Sequence, residues 1–185
     1  MEVIMGKILK PTKRPHNPSG FTLIELMVVV IIIGIILLLV VPNFAQMQRK
    51  ARIRAGAQAI AQDFRQIRER ALSISQEFEI VSPNDRQYEV RNPLGDTIRY
   101  KLGQTTGGNL RFATTGGVPQ APGGNGPPPI GGWDFPGGSL KFRGRGDATN
   151  GVIYITDGSN NFAIHVNSLG NVKVYRYENG SWTGI

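Results

Sequence analysis

Apolar and polar positions change their period three times along this 185-residue chain. From Phe21 to Val41 the one ionisable residue is Glu25, and the 16 positions from Leu26 to Val41 carry no polar side chain, Gly34 included. Wound as a helix at about 1.5 Å per residue, the stretch is roughly 31 Å long, which matches a hydrocarbon core of about 30 Å. It predicts a membrane-spanning helix over residues 21–41. The apolar core of an ordinary secretory signal is only about 7 to 15 residues and ends at small residues, which Val41-Pro42-Asn43 does not supply.

After Pro42 the period becomes amphipathic. Ile53, Ala57, Ile60, Phe64, Ile67, Ala71, Ile74 and Phe78 recur at alternating spacings of four and three, a helical stripe that needs a surface to cover it. Gln58, Gln62, Arg65, Gln66, Arg68 and Glu69 lie on the opposite side, with Arg65 and Glu69 at pairing distance. One long helix over residues 21–75 is predicted, bent near Gly34 or Pro42, its stripe packed on the domain's own sheet.

From Glu77 onward, short alternating runs separated by turn residues predict antiparallel strands near 77–82, 86–91, 97–102, 109–113, 139–143, 151–156, 161–167 and 171–177, the last three as a meander. Ser82-Pro83-Asn84-Asp85, Asn92-Pro93-Leu94-Gly95-Asp96, Asp157-Gly158 and Leu169-Gly170-Asn171 carry turn chemistry. Between the strands, 15 of the 24 residues in 115–138 are Gly or Pro, a density that predicts a long, mobile surface loop without helix or strand. Trp133 and Phe135 stand out within it, either anchoring the loop to the core or offering a contact to a neighbour. The fold class is therefore α+β: a leader over 1–20, a helix over 21–75 whose second half spans 42–75, and an antiparallel β domain over 76–185.

The net charge of +8 belongs partly to the leader, which holds four basic residues and one acid. Lys7, Lys10, Lys13 and Arg14 before the apolar run face Arg49, Lys50, Arg52 and Arg54 after it, so charge balance does not orient the helix. There is no cysteine, which removes disulfides and thiol chemistry. His16 and His165 stand apart, and no zinc or other metal site is expected. Asp157-Gly158-Ser159-Asn160-Asn161 lacks the spacing of a calcium loop and reads as a turn. Arg145-Gly146-Asp147 is too short to carry meaning. No phosphate-cradling loop or nucleophile elbow is present, so neither an enzyme nor a cofactor is expected.

Glu25 is the exception inside the apolar run, because a carboxylate within a membrane helix costs about 2.5–3.5 kcal/mol and seeks a cation. Gly20-Phe21-Thr22-Leu23-Ile24-Glu25-Leu26, between a basic leader and that run, resembles a type IV prepilin processing site. The resemblance implies cleavage by prepilin peptidase between Gly20 and Phe21, N-methylation of Phe21, and Glu25 as the assembly carboxylate that meets the N-terminal amine of a neighbouring subunit. It also places the leader in the bacterial cytoplasm, one helix in the inner membrane and the C-terminal domain in the periplasm. Met1 and Met5 are both possible starts, and neither changes the cut site. A single-pass anchor whose lone Glu snorkels to the headgroups is the plainer alternative.

The runs 140–146, 151–155 and 162–173 resemble the GspH/FimT class of pseudopilins and minor pilins, with a Phe-x-x-x-Gly strand exit at Phe142 to Gly146, a Gly-led apolar strand, and a terminal hairpin closing on Gly170. That class implies a minor subunit of the type II secretion system in a periplasmic pseudopilus, partnered by other pseudopilins. A type IV pilus minor pilin serving fibre initiation or DNA uptake is the alternative, and a membrane-anchored binding domain that never polymerises is another. DNA-binding relatives have Gly-Arg-x-Arg at the final hairpin, where this chain has Gly170-Asn171-Val172-Lys173. Lys173 and Arg176 are the candidate nucleic-acid contacts, and with Lys141, Arg143 and Arg145 they could form one basic patch. A solvated set of strand-end charges is favoured over it.

Overall fold

The computed structural model describes residues 20–104 and 107–185, apart from the side chains of residues 39–43. The leader expectations up to Ser19, His16 included, lie outside these residues, and so does the side chain of Pro42. Contacts divide the chain into one unit ending at Pro42 and a second, Asn43–Ile185.

Helix α1, Leu23–Ile74, is the only α-helix among the described residues. In the first unit it presents apolar side chains on every side, with the large ones between Phe21 and Leu38 from 46% to 88% exposed. Taken alone, the described side chains do not amount to a helix long and apolar enough to cross a membrane. The sequence carries the apolar run on to Val41.

In the second unit, Ile53, Ala57, Ile60, Phe64, Ile67 and Ala71 are buried as the stripe predicts, joined by Ala61. Ile74 is not part of the core; it is half exposed, because the helix stops there. Ser75 takes a left-handed φ of 53° and donates its N–H to the Leu72 carbonyl at 3.2 Å, while Gln76 N–H reaches back to the Ala71 carbonyl at 3.1 Å. These two bonds form a Schellman closure. The backbone of Gly144 lies against it so closely that a Cβ there would fall 2.2 Å from the Ser75 carbonyl carbon. Phe78 is buried, but on the first strand rather than on the helix.

Ten strands follow among the described residues: β1 Phe78–Asn84, β2 Gln87–Arg91, β3 Thr97–Lys101, β4 Arg111–Phe112, β5 Trp133–Asp134, β6 Ser139–Phe142, β7 Gly151–Thr156, β8 Asn161–Val166, β9 Val172–Glu178 and β10 Ser181–Gly184. They form two antiparallel sheets, ordered β3-β2-β1-β6 and β10-β9-β8-β7-β4, with β5 also paired to β7. The predicted meander is β7-β8-β9, with β10 added at its edge. Ser82 and Pro83 belong to β1 rather than to a turn. The register shifts between Val81 and Asn84, a place where a sheet tolerates proline, and the reversal itself uses Asp85 and Arg86.

Both sheets meet the helix in one core. Phe64 packs edge-on to Tyr88 and Phe142 at ring distances of 5.8 and 6.4 Å, and Ile153, Ile155, Phe162 and Ile164 come from the second sheet. The Tyr88 hydroxyl donates to the Asp63 carboxylate at 2.5 Å, and burial together with that carboxylate pushes the phenol far above its ordinary range. The polar side of the helix works differently from the expected Arg65–Glu69 pair. Arg65 donates to the Val172 carbonyl, and Arg68 donates to the carbonyls of Gly146 and Leu169. Both arginines therefore tie the helix to turns of the sheet.

The Gly/Pro segment is neither structureless nor loose. It covers the outer face of the second sheet: Ala121 is buried with Val152, Tyr154 and Ala163, and its N–H donates to the Tyr154 hydroxyl at 3.0 Å. Trp182 Nε1–H donates to the Pro119 carbonyl, and Asn150 reaches the Gly123 carbonyl. Gly123 and Gly132 pass where a Cβ would meet His165 at 2.2 Å and the Ala113 nitrogen at 2.5 Å, which explains part of the glycine content. Trp133 and Phe135 anchor the segment, packing on each other, with Trp133 also edge-on to Phe112, and Trp133 belongs to a strand where none was predicted.

Candidate functional site

Gly20 and Phe21 precede the helix, and Phe21 is 88% exposed. The peptide bond between them thus precedes the helix. The helix begins immediately afterwards because Thr22 caps it. Thr22 Oγ1 accepts the Glu25 N–H at 3.2 Å, while Glu25 Oε2 accepts the Thr22 N–H at 2.8 Å and its hydroxyl at 2.9 Å. This is a reciprocal capping box, in which two helix-end N–H groups are satisfied by the side chains of residues three apart. The Thr-x-x-Glu spacing that announces it stands in the sequence.

Glu25 therefore has a partner within its own chain. The carboxylate also lies at the positive end of the helix dipole, which favours a negative charge there. Among the described residues only Oε2 takes these bonds, and the side chain is exposed. The other oxygen remains available to a donor from outside. Gly20, Phe21 and Glu25 lie within six consecutive residues, the first two before the helix and Glu25 in its first turn.

The candidate nucleic-acid contacts are not brought together. On β9, Val172 and Val174 are buried and Lys173 between them is exposed, paired across the sheet with His165. Arg176 is three positions further on, so it projects from the opposite face, where it bonds Glu178 at 2.5 Å. Lys141 meets Glu77 and Glu79, and Arg143 meets Glu77 and Asp147. Arg145 is 3.9 Å from Asp147. Most of the supposed patch is thus internally neutralised and divided between two faces.

His165 is half buried, with Nε2 3.1 Å from Asn150 Oδ1, and burial with the nearby Lys173 lowers its pKa. Asp157 Oδ1 accepts the N–H groups of Ser159 and Asn160, the turn its sequence predicts. No group of acidic or histidine side chains among the described residues is arranged to hold a metal.

Comparison with known families gives two matches. Residues 15–41 match the prokaryotic N-terminal methylation motif, and residues 56–170 match the type II transport protein GspH. No curated protein and no solved structure matches the chain. The first match covers Gly20 and Phe21, the capping box and the apolar run; the second covers the buried helical stripe from Ala57 onward and strands β1 to β8, ending at the Gly170 turn before β9. Together with the α+β architecture, they establish that this chain is a prepilin-like protein belonging to the GspH family of type II transport proteins.

Proposed function

We propose that the chain is a minor pseudopilin of the type II secretion system. Prepilin peptidase cuts between Gly20 and Phe21, Phe21 is N-methylated, and residues 21–41 hold the protein in the inner membrane as a single pass with the domain in the periplasm. The subunit then leaves the bilayer and enters a periplasmic filament with other pseudopilins. Its role is structural, with no catalytic residue and no cofactor.

The observation that carries this reading is the apolar helix exposed on all sides, with its one carboxylate in the first turn. Such a helix is stable in lipid or in a bundle of like helices. Cleavage creates a cation on Phe21, next to Thr22 and four residues before Glu25. In the lipid-embedded monomer, Thr22 satisfies part of the carboxylate's hydrogen-bonding capacity and lowers the cost of holding it there. In the filament, the free oxygen of Glu25 accepts the methylated amine of a neighbour, an ion pair made only when subunits dock side by side. The test is mass spectrometry of the chain purified from cells with and without the peptidase. An N-terminus at N-methyl-Phe21 that depends on the peptidase is expected; an uncut chain, or a cut elsewhere, would overturn the reading. Loss of secreted proteins on deletion, with pili intact, separates the secretion role from a type IV pilus role.

A further inference from the structure

The helix segment just beyond the apolar run is unusually one-signed. Between Glu25 and Asp63 the sequence has no acid, while Arg49, Lys50, Arg52 and Arg54 fall within six positions. Lys50 and Arg54 are four apart, on one face, where like charges destabilise a helix. Within the second unit this face forms one wall of a groove of about 520 Å³. Met47, Lys50, Ala51 and Arg54 line it from the helix, and Asn160, Phe162 and Arg176 face them from the second sheet and its β7–β8 turn. A smaller hollow of about 250 Å³ holds Arg49 and Arg52 beside Asp157.

The groove is under-neutralised. Glu178 is its one carboxylate and serves both Arg176, at 2.5 Å, and Lys50, at 3.6 Å, which leaves Arg54 without an acid in the lining. Arg176 Nε–H is enclosed and finds no acceptor among the described residues. The lining combines cations with amide and hydroxyl donors and an apolar part from Met47, Ala51 and Phe162. That combination suits a phosphodiester carried on an apolar glycerol ester. Chain length fixes where such a ligand is found: Lys50 is nine residues beyond Val41, at most about 32 Å away even if fully extended and about 14 Å if helical.

We propose that this groove binds the headgroup of an anionic phospholipid at the membrane surface, seating the domain on the bilayer before assembly. The inference rests on the membrane-held monomer proposed above. It also accounts for four cations on the side of the apolar run opposite the leader, where topology does not need them. Each basic residue near an anionic surface contributes about fivefold in binding, so Lys50, Arg54 and Arg176 together discriminate anionic from zwitterionic lipid.

The full chain in neutral detergent, titrated with dihexanoyl phosphatidylglycerol or dihexanoyl phosphatidylcholine and read by native mass spectrometry, tests the proposal. Phosphatidylglycerol is expected to be retained at least tenfold better. Lys50→Gln and Arg54→Gln are each expected to lower retention about fivefold, and Arg91→Gln, distant on β2, to leave it unchanged. Equal retention of the two lipids would overturn the proposal, as would indifference to both groove substitutions. Equally tight binding of glycerol phosphate would make this a free-phosphate site and overturn the lipid assignment. Preference for an acidic peptide or an oligonucleotide over the lipid would do the same. Carbonate extraction distinguishes the two layers of argument: a chain released from membranes fails the anchor, whereas an integral chain without lipid preference fails the groove alone.

Discussion

Replacing Phe64 with Ala should weaken the attachment of the helix to the β domain more than any other single truncation on the stripe. The ring is fully buried, and it meets Tyr88 at 81° and Phe142 at 61°, edge to face in both cases. Burial of a phenylalanine removes about 150 Å² or more from water, worth about 4 kcal/mol at 25 cal/mol per Å². Measured Phe→Ala losses in cores are about 3–5 kcal/mol. Against a total stability of about 7–20 kcal/mol for a domain of this size, such a loss is large. At about 2–4 °C per kcal/mol, the melting temperature should fall by about 8–16 °C. Phe64→Leu keeps most of the volume and should cost less than about 1.5 kcal/mol. The assay is thermal unfolding of the detergent-solubilised full chain, followed by near-ultraviolet circular dichroism of Trp133 and Trp182. If Phe64→Ala melted within about 3 °C of the parent, or no lower than Leu94→Ala at an exposed turn, the helix would not be held through this aromatic contact.

Ser75→Gly should raise stability by about 0.5–1 kcal/mol, because the left-handed φ of 53° at the helix end costs a residue with a Cβ and costs glycine nothing; denaturant midpoints would show it. Gly170→Ala should destabilise by about 2 kcal/mol or more, since its φ is 74° and a Cβ would lie 2.5 Å from the Gly146 carbonyl oxygen and 2.3 Å from Arg68 Nε. The same denaturant series measures the loss, and an unchanged midpoint would contradict the close approach. His165 has a lowered pKa in the folded chain, so the unfolded chain binds the proton more readily. Its contribution is complete above the ordinary histidine value of about 6.5 and declines as pH falls from there toward the folded value. His165→Gln should flatten that part of the stability–pH curve, and an unchanged slope would refute the assignment.

The long helix was legible because its two halves have strong and different patterns, uniform apolarity and a spacing of three and four. Its end was harder to read: Ile74 and Phe78 keep the stripe's spacing beyond the Schellman closure at Ser75, and periodicity alone does not register where hydrogen bonding stops. Eight strands were visible from alternation. β5 was hidden because Trp133-Asp134 sits among glycines and is a strand only through pairing with Ile153 and Val152, a tertiary contact without a local signal. The Gly/Pro segment was misread for the same reason. Its glycines reflect close approach to His165 and to the backbone around Phe112, not looseness. At the N-terminus, Gly20, Phe21 and Glu25 were legible as a motif, and the Thr22–Glu25 spacing was equally available there. The separation of Lys173 from Arg176 follows from the period of a strand, which places positions three apart on opposite faces.

In the proposed filament the Glu25 carboxylate completes its bonding on a neighbour's N-terminus. The most direct measurement is the fraction of mature chain recovered in sheared filaments for Glu25→Ala against the parent, in cells where N-methyl-Phe21 is verified for both. At least a tenfold drop in incorporation with processing intact is expected. Equal incorporation of the two chains would contradict it.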